Sequence, residues 1–200
     1  MTAIEFFWDP GSTNTYFAWK LLPPIAARHG AAVVPRAFNL GHVFRHHDYV
    51  LMDEPPAKIA NRKRDLERWT AKYGLAFRFP DVFPIKTSRA LRGALAMRGR
   101  GLEHEFITAV LEAYWERNDH SIAEIAGLGR LAERLGVDPE AFEAEVESPA
   151  VRELLIAETE EGLERGVFGA PSFLIGDELF WGKDRMDFVE DELRRNSGGG

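Results

Sequence analysis

Ser12 opens the short set of residues able to do chemistry in this chain. It follows the break Asp9-Pro10-Gly11 and precedes Tyr16, Phe17, Trp19, Leu21 and Leu22, so it stands where a helix N-cap belongs. Its hydroxyl therefore lies beside backbone N–H groups that the helix itself leaves unpaired. A second candidate is the loop Gly169-Ala170-Pro171, set between a glycine helix stop at Gly166 and the apolar run Phe173-Leu174-Ile175. Lys183 and Asp184 open a last helix, and Lys58 and Asp53 are charged residues in the middle of the chain. There is no cysteine, which excludes disulfides, CxxC redox motifs and thiolate metal sites. Any sulfur chemistry here needs a thiol brought in from outside. His42, His46 and His47 with Asp48 offer no convincing helical i, i+4 pair backed by further ligands, and no metal is expected. No glycine-rich phosphate loop and no nucleophile elbow occurs.

The composition narrows the partners. Two hundred residues can bury a substantial core, and 45% apolar with 28% charged residues is ordinary for a globular protein. A net charge of −7 argues against nucleic acid or an anionic membrane as the main partner. No run approaches the roughly 20 apolar residues of a membrane span. Met1-Thr2-Ala3-Ile4-Glu5 lacks the basic start and apolar stretch of a signal peptide, and with the absent cysteines this gives a cytoplasmic expectation.

The elements that position these residues follow from periodicity and punctuation. Ala3 to Trp8 reads as a buried strand, and Ala31 to Phe38 as a second one that Pro35 should put at a sheet edge or whose ladder it should end locally. From Gly41 to about Glu147 the pattern is helix after helix, with Phe106, Ile107, Val110, Leu111, Tyr114 and Trp115 at helical spacing. Ser121 with Glu124 has the form of a capping box, and Gly136 is a helix stop before the cap-and-proline start Asp138-Pro139. Ser148-Pro149 repeats that start and opens a helix to Gly166, with Val151, Leu154 and Leu155 facing inward. Phe173 to Ile175 and Leu179 to Trp181 form a hairpin about Gly176-Asp177. Asp184 then begins a final helix carrying Met186, Phe188, Val189 and Leu193.

The order β-α-β, helical block, α-β-β-α is that of an α/β thioredoxin-like fold with an inserted all-α domain, as in DsbA-like proteins. Residues 1–42 and 148–196 form the discontinuous thioredoxin-like domain, 43–147 the helical insert and 197–200 a flexible tail. Phe7-Trp8-Asp9, Ser12, Tyr16 and Ala18 resemble the opening signature of the 2-hydroxychromene-2-carboxylate isomerases and the related kappa-class glutathione transferases. Leu40-Gly41, Phe44, Pro55-Pro56, Lys58, Asp65, Arg68-Trp69, Gly74 and Phe83-Pro84 are similar to that family's middle region. Gly166 to Pro171, Phe180-Trp181-Gly182 and Asp184-Arg185 resemble its C-terminal signature. The likeness covers nearly the whole chain in order.

The resemblance implies roles. Ser12 binds the sulfur of glutathione, or of another small thiol, and a hydroxyl donor at the positive end of a helix favours thiolate over thiol. Lowering a thiol pKa by two units takes roughly 2.7 kcal/mol, within reach of one charge-assisted hydrogen bond and a helix terminus. The Ala170-Pro171 bond is expected to be cis, with the Ala170 backbone pairing the cysteinyl backbone of glutathione like an added strand. Asp184 suits the γ-glutamyl ammonium, and Lys58 meets the glycyl carboxylate. The chain departs from the family at Asp53, where relatives commonly carry a ligand-contacting asparagine, and at Lys183, where a small polar residue is usual. Thr13 and Asn61 replace a frequent proline and a frequent aromatic. The implied activity is glutathione-dependent isomerisation of an aromatic-derived 2-oxo acid by reversible thiolate addition, in a homodimer. The alternatives are a kappa-class-like transferase or peroxidase and a non-enzymatic peptide-binding module.

Overall fold

The computed structural model describes residues 2–50 and 53–197. Strand β1 (Ala3–Trp8) leads into helix α1 (Thr13–Arg28) and strand β2 (Ala32–Ala37), and seven further helices separate this unit from the second pair of strands. These are α2 (Leu40–His46), α3 (Pro56–Tyr73), α4 (Ser88–Arg98), α5 (Glu103–Trp115), α6 (Ile125–Arg134), α7 (Pro139–Val146) and α8 (Pro149–Glu164). Strands β3 (Ser172–Ile175) and β4 (Glu178–Trp181) follow, then a 3-10 turn, Lys183–Arg185, and helix α9 (Met186–Ser197). No helix among the described residues is long and apolar enough to cross a membrane.

The sheet order is β2-β1-β3-β4. β1 pairs parallel with β2, from Ala3 opposite Ala32 to Trp8 opposite Ala37, and antiparallel with β3, where Phe6 faces Phe173. Pro35 lies on β2, an edge strand, where its missing N–H interrupts no second ladder. Because β1 is central, both of its faces are buried. Ile4, Phe6 and Trp8 pack into a core shared with α1, α4 and α5, while Phe7 joins Phe38, Val43, Val167 and Leu174 in a smaller cluster. The larger core runs without a break from the sheet into the helical block, and the expected boundary at 42/43 falls inside α2. Arg98 on α4 ties the two together. Its guanidinium donates to Glu103, to the buried Glu158 and to the carbonyl of Pro35, and Glu158 in turn accepts the Ala37 N–H.

Three local expectations are corrected. Asp119, not Ser121, caps the turn at 120–123, and the Ser121 hydroxyl instead accepts a bond from Arg130. Leu154, expected to face inward, lies at a helix position turned to solvent. Ser197 ends α9 and is not part of a tail; residues 198–200 lie outside the described residues.

Candidate active site

The turn between β1 and α1 brings Ser12 to the head of its helix. Ser12 has the extended backbone of an N-cap, and its Oγ accepts weakly from the Thr15 N–H at 3.4 Å. No acidic side chain occupies the first turn of α1, so the helix's positive end is not neutralised from within. The same hydroxyl donates to the carbonyl of Ala170 at 2.8 Å, across a separation of 158 residues. One bond thus joins the first helix to the proline loop.

The loop is built for backbone contact. The Ala170-Pro171 peptide is cis, as is Phe83-Pro84. The Ala170 N–H has no hydrogen-bond partner among the described residues, and its carbonyl holds only the movable hydroxyl of Ser12. Ser172 Oγ donates to the Gly169 carbonyl at 2.7 Å, and the Gly182 N–H donates to the Pro171 carbonyl at 3.0 Å, which ties the loop to the turn after β4. Gly169 is required by packing, since a Cβ there would lie 2.7 Å from Trp181 Nε1. Phe168 and Trp181 pair beside the loop with ring centroids 5.2 Å apart, each about half exposed. Gly182 has φ of 105°, and a Cβ on it would also strike the Asp184 carboxylate.

The remaining predicted residues divide. Asp184 is half-exposed, and its carboxylate accepts from the Arg185 guanidinium at 2.6 Å. Lys183 turns away from it: its buried ammonium sits 4.6 Å over the Trp69 ring and 3.5 Å from Asp65 on α3. Lys58, at the start of α3, is exposed and paired with Glu54 at 2.8 Å. Asp53 is exposed just before that helix, and its backbone N–H reaches the Val50 carbonyl. Neither Lys58 nor Asp53 contacts Ser12 or Ala170. Ser12, Ala170 and Pro171 therefore form one bonded cluster with Asp184 beside it, and the α3 residues stand apart. Two open depressions of about 450 and 270 Å³ lie further along α1, lined by Trp19, Pro23 and His104. Neither includes a residue of the bonded cluster.

Asp9 is the residue that motif reading noted but gave no role. It is buried at the end of β1, and its carboxylate accepts from the N–H groups of Gly11 and Leu40 at 2.7 and 2.9 Å and from the Thr87 hydroxyl at 3.0 Å. Burial pushes its carboxyl up to about 6, against three hydrogen bonds that favour the ionised form. An aspartate two residues before a glycine in a turn carries a sequence signal for the Gly11 bond, but not for the other two.

Comparison with known proteins places this geometry. The DSBA-like thioredoxin domain matches residues 3–194. The chain belongs to that family. Among DSBA-like proteins it is similar to the 2-hydroxychromene-2-carboxylate isomerase of Sphingobium xenophagum, 32% identical over 95% of this chain and 97% of that one. The enzyme of the same name from Pseudomonas putida is 29% identical over 96% of this chain and 94% of its own. A solved structure of a 2-hydroxychromene-2-carboxylate isomerase superposes with a TM-score of 0.83 at 27% identity, covering 97% of this chain and 95% of that one. These relatives make this DSBA-like chain an enzyme of isomerase type.

Proposed function

We propose that the protein is a glutathione-dependent isomerase of an aromatic-derived 2-oxo acid, acting as its relatives' name, 2-hydroxychromene-2-carboxylate isomerase, describes. The observation that carries the reading is the Ser12 hydroxyl 2.8 Å from the Ala170 carbonyl, at the head of α1, in a chain without cysteine. When bound, glutathione supplies a thiolate that adds to the conjugated carbon of the substrate, leaves a rotatable single bond, and departs to restore the double bond. Ser12 would donate to that sulfur the hydrogen bond it now gives to the Ala170 carbonyl. The freed carbonyl and the unpartnered Ala170 N–H then fit the cysteinyl N–H and C=O of a tripeptide, as an added strand would. Asp184, half-exposed beside the loop, meets the γ-glutamyl ammonium in competition with Arg185. Phe168 and Trp181 offer apolar faces to an aromatic substrate.

Titration of the purified protein with glutathione, followed by thiolate absorbance, tests the reading. Saturable binding with a lowered thiol pKa is expected. Ser12→Ala removes a charge-assisted bond worth about 1.5–3 kcal/mol, so the bound thiol pKa should rise by about 1–2 units and turnover at neutral pH should fall about 10–100-fold. An unchanged pH–rate profile would remove Ser12 from the mechanism. Net consumption of glutathione would make the enzyme a transferase.

A further inference from the structure

We propose that Asp9 is a positioning residue for Ser12, its buried carboxylate locking the turn that aims the serine hydroxyl. Residue 9 holds the turn twice. Its side chain takes the Gly11 N–H at 2.7 Å, and its own carbonyl takes the Ser12 N–H at 3.1 Å. The second carboxylate oxygen anchors that turn to two other elements, through the Leu40 N–H at the first residue of α2 and the Thr87 hydroxyl before α4. Thr87 stands at the N-cap of α4 and makes no capping bond with its side chain. Its hydroxyl goes to Asp9 instead, at the expense of the helix's own end. The turn is also packed against this pair, since a Cβ on Gly11 would lie 3.1 Å from both Asp9 Oδ1 and Thr87 Cγ2.

The chemistry of the three donors selects a carboxyl. Two backbone N–H groups approach opposite oxygens, and the hydroxyl shares the oxygen taken by Leu40. An ionised carboxylate accepts all three. A neutral carboxyl still pairs all three groups, because its O–H donates to the Thr87 hydroxyl while both oxygens accept an N–H. An amide cannot: whichever way it is flipped, one backbone N–H faces an NH₂. Asn at position 9 therefore leaves a buried donor unpaired and releases either the Gly11 side of the turn or its anchor on Leu40.

The catalytic consequence rests on the thiol reading above, while the placement itself does not. Two measurements on Asp9→Asn, Thr87→Val and Thr87→Ser keep them apart. In the protein without added thiol, Asp9→Asn should shift the backbone amide resonances of both Ser12 and Ala170, and Thr87→Val should shift them less. With glutathione, Thr87→Val should raise the bound thiol pKa by about half a unit and lower kcat about threefold at neutral pH, with KM for glutathione within about twofold. Asp9→Asn should do so by about one unit and tenfold, and Thr87→Ser should restore wild-type values. Should Asp9→Asn fail to fold, Thr87→Val and its serine rescue decide. Folded variants whose Ser12 and Ala170 resonances stay in place overturn the proposal. Resonances that move in a protein that binds no glutathione support the positioning role and overturn the glutathione reading alone.

Discussion

The two flanks of the candidate site are held in opposite ways. On one side, Ser12, Asp9 and the Ala170-Pro171 loop are joined by backbone groups and a buried carboxylate, so that each position is set by several bonds at once. On the other, α3 carries a polar sequence with Leu66 as its buried residue, and touches the body through Trp69 against Phe17 and under Lys183. Lys58 on this helix is engaged in a surface ion pair of a kind worth about 0–1 kcal/mol. For the proposed thiol chemistry the difference fits the demands of each task. Shifting a thiol pKa needs a donor placed to a fraction of an ångström, whereas holding the charged ends of a flexible peptide makes no such demand.

The contrast can be broken from the rigid side first. Folding raises the Asp9 carboxyl from 3.8 to about 6, so the native state holds its proton more tightly than the unfolded chain. Stability should therefore be greatest below pH 4 as far as this group is concerned. It should fall as pH rises through 6, by about 3 kcal/mol in all. Relative to wild type, Asp9→Asn should thus gain by that amount between pH 4 and pH 7, measured by urea unfolding at each pH. A constant difference would show that the carboxyl titrates normally. Lys183→Met comes next. It removes a desolvated cation from the Trp69 ring and from Asp65, a loss of about 1–2 kcal/mol. Because α3 has few other ties, hydrogen exchange should accelerate in α3 and stay unchanged in β1 and β3. The smallest effect belongs to Lys58→Ala. Thermal stability should move by less than about 0.5 kcal/mol. Glutathione affinity should drop about threefold at low ionic strength and less at high salt, as calorimetry at two salt concentrations can read.

Much of this was legible in residue order. Periodicity located β1 from Ala3 to Trp8, and Pro35 left β2 either an edge position or an interrupted ladder, of which the sheet takes the edge. Ser12, Asp138 and Ser148 each cap the helix expected of them, since capping is a local contest between a side chain and the next turn. Where two local signals competed, the stronger acceptor won: Asp119 took the turn that Ser121 and Glu124 had seemed to frame. Leu154 was read inward on hydrophobicity alone, but its side chain on α8 lies turned to solvent. Sequence placed Lys183 beside Asp184 but could not say where its ammonium goes. Its long stem lets the ammonium reach Trp69 and Asp65, the latter 118 residues back along the chain.

Residue types and spacing alone therefore determined the elements, the cap at position 12, the hairpin at Gly176-Asp177 and the exclusion of disulfide chemistry within the chain. These follow from backbone sterics, local hydrogen bonding and the absence of cysteine, none of which requires a distant partner. Tertiary packing decided that the Ser12 hydroxyl meets the Ala170 carbonyl, that Thr87 abandons its own helix for Asp9, and that Lys183 points to α3. Those are pairings between polar groups far apart in sequence. Periodicity records which face of an element is apolar, but only the packing of the whole core sets which buried donor finds which acceptor.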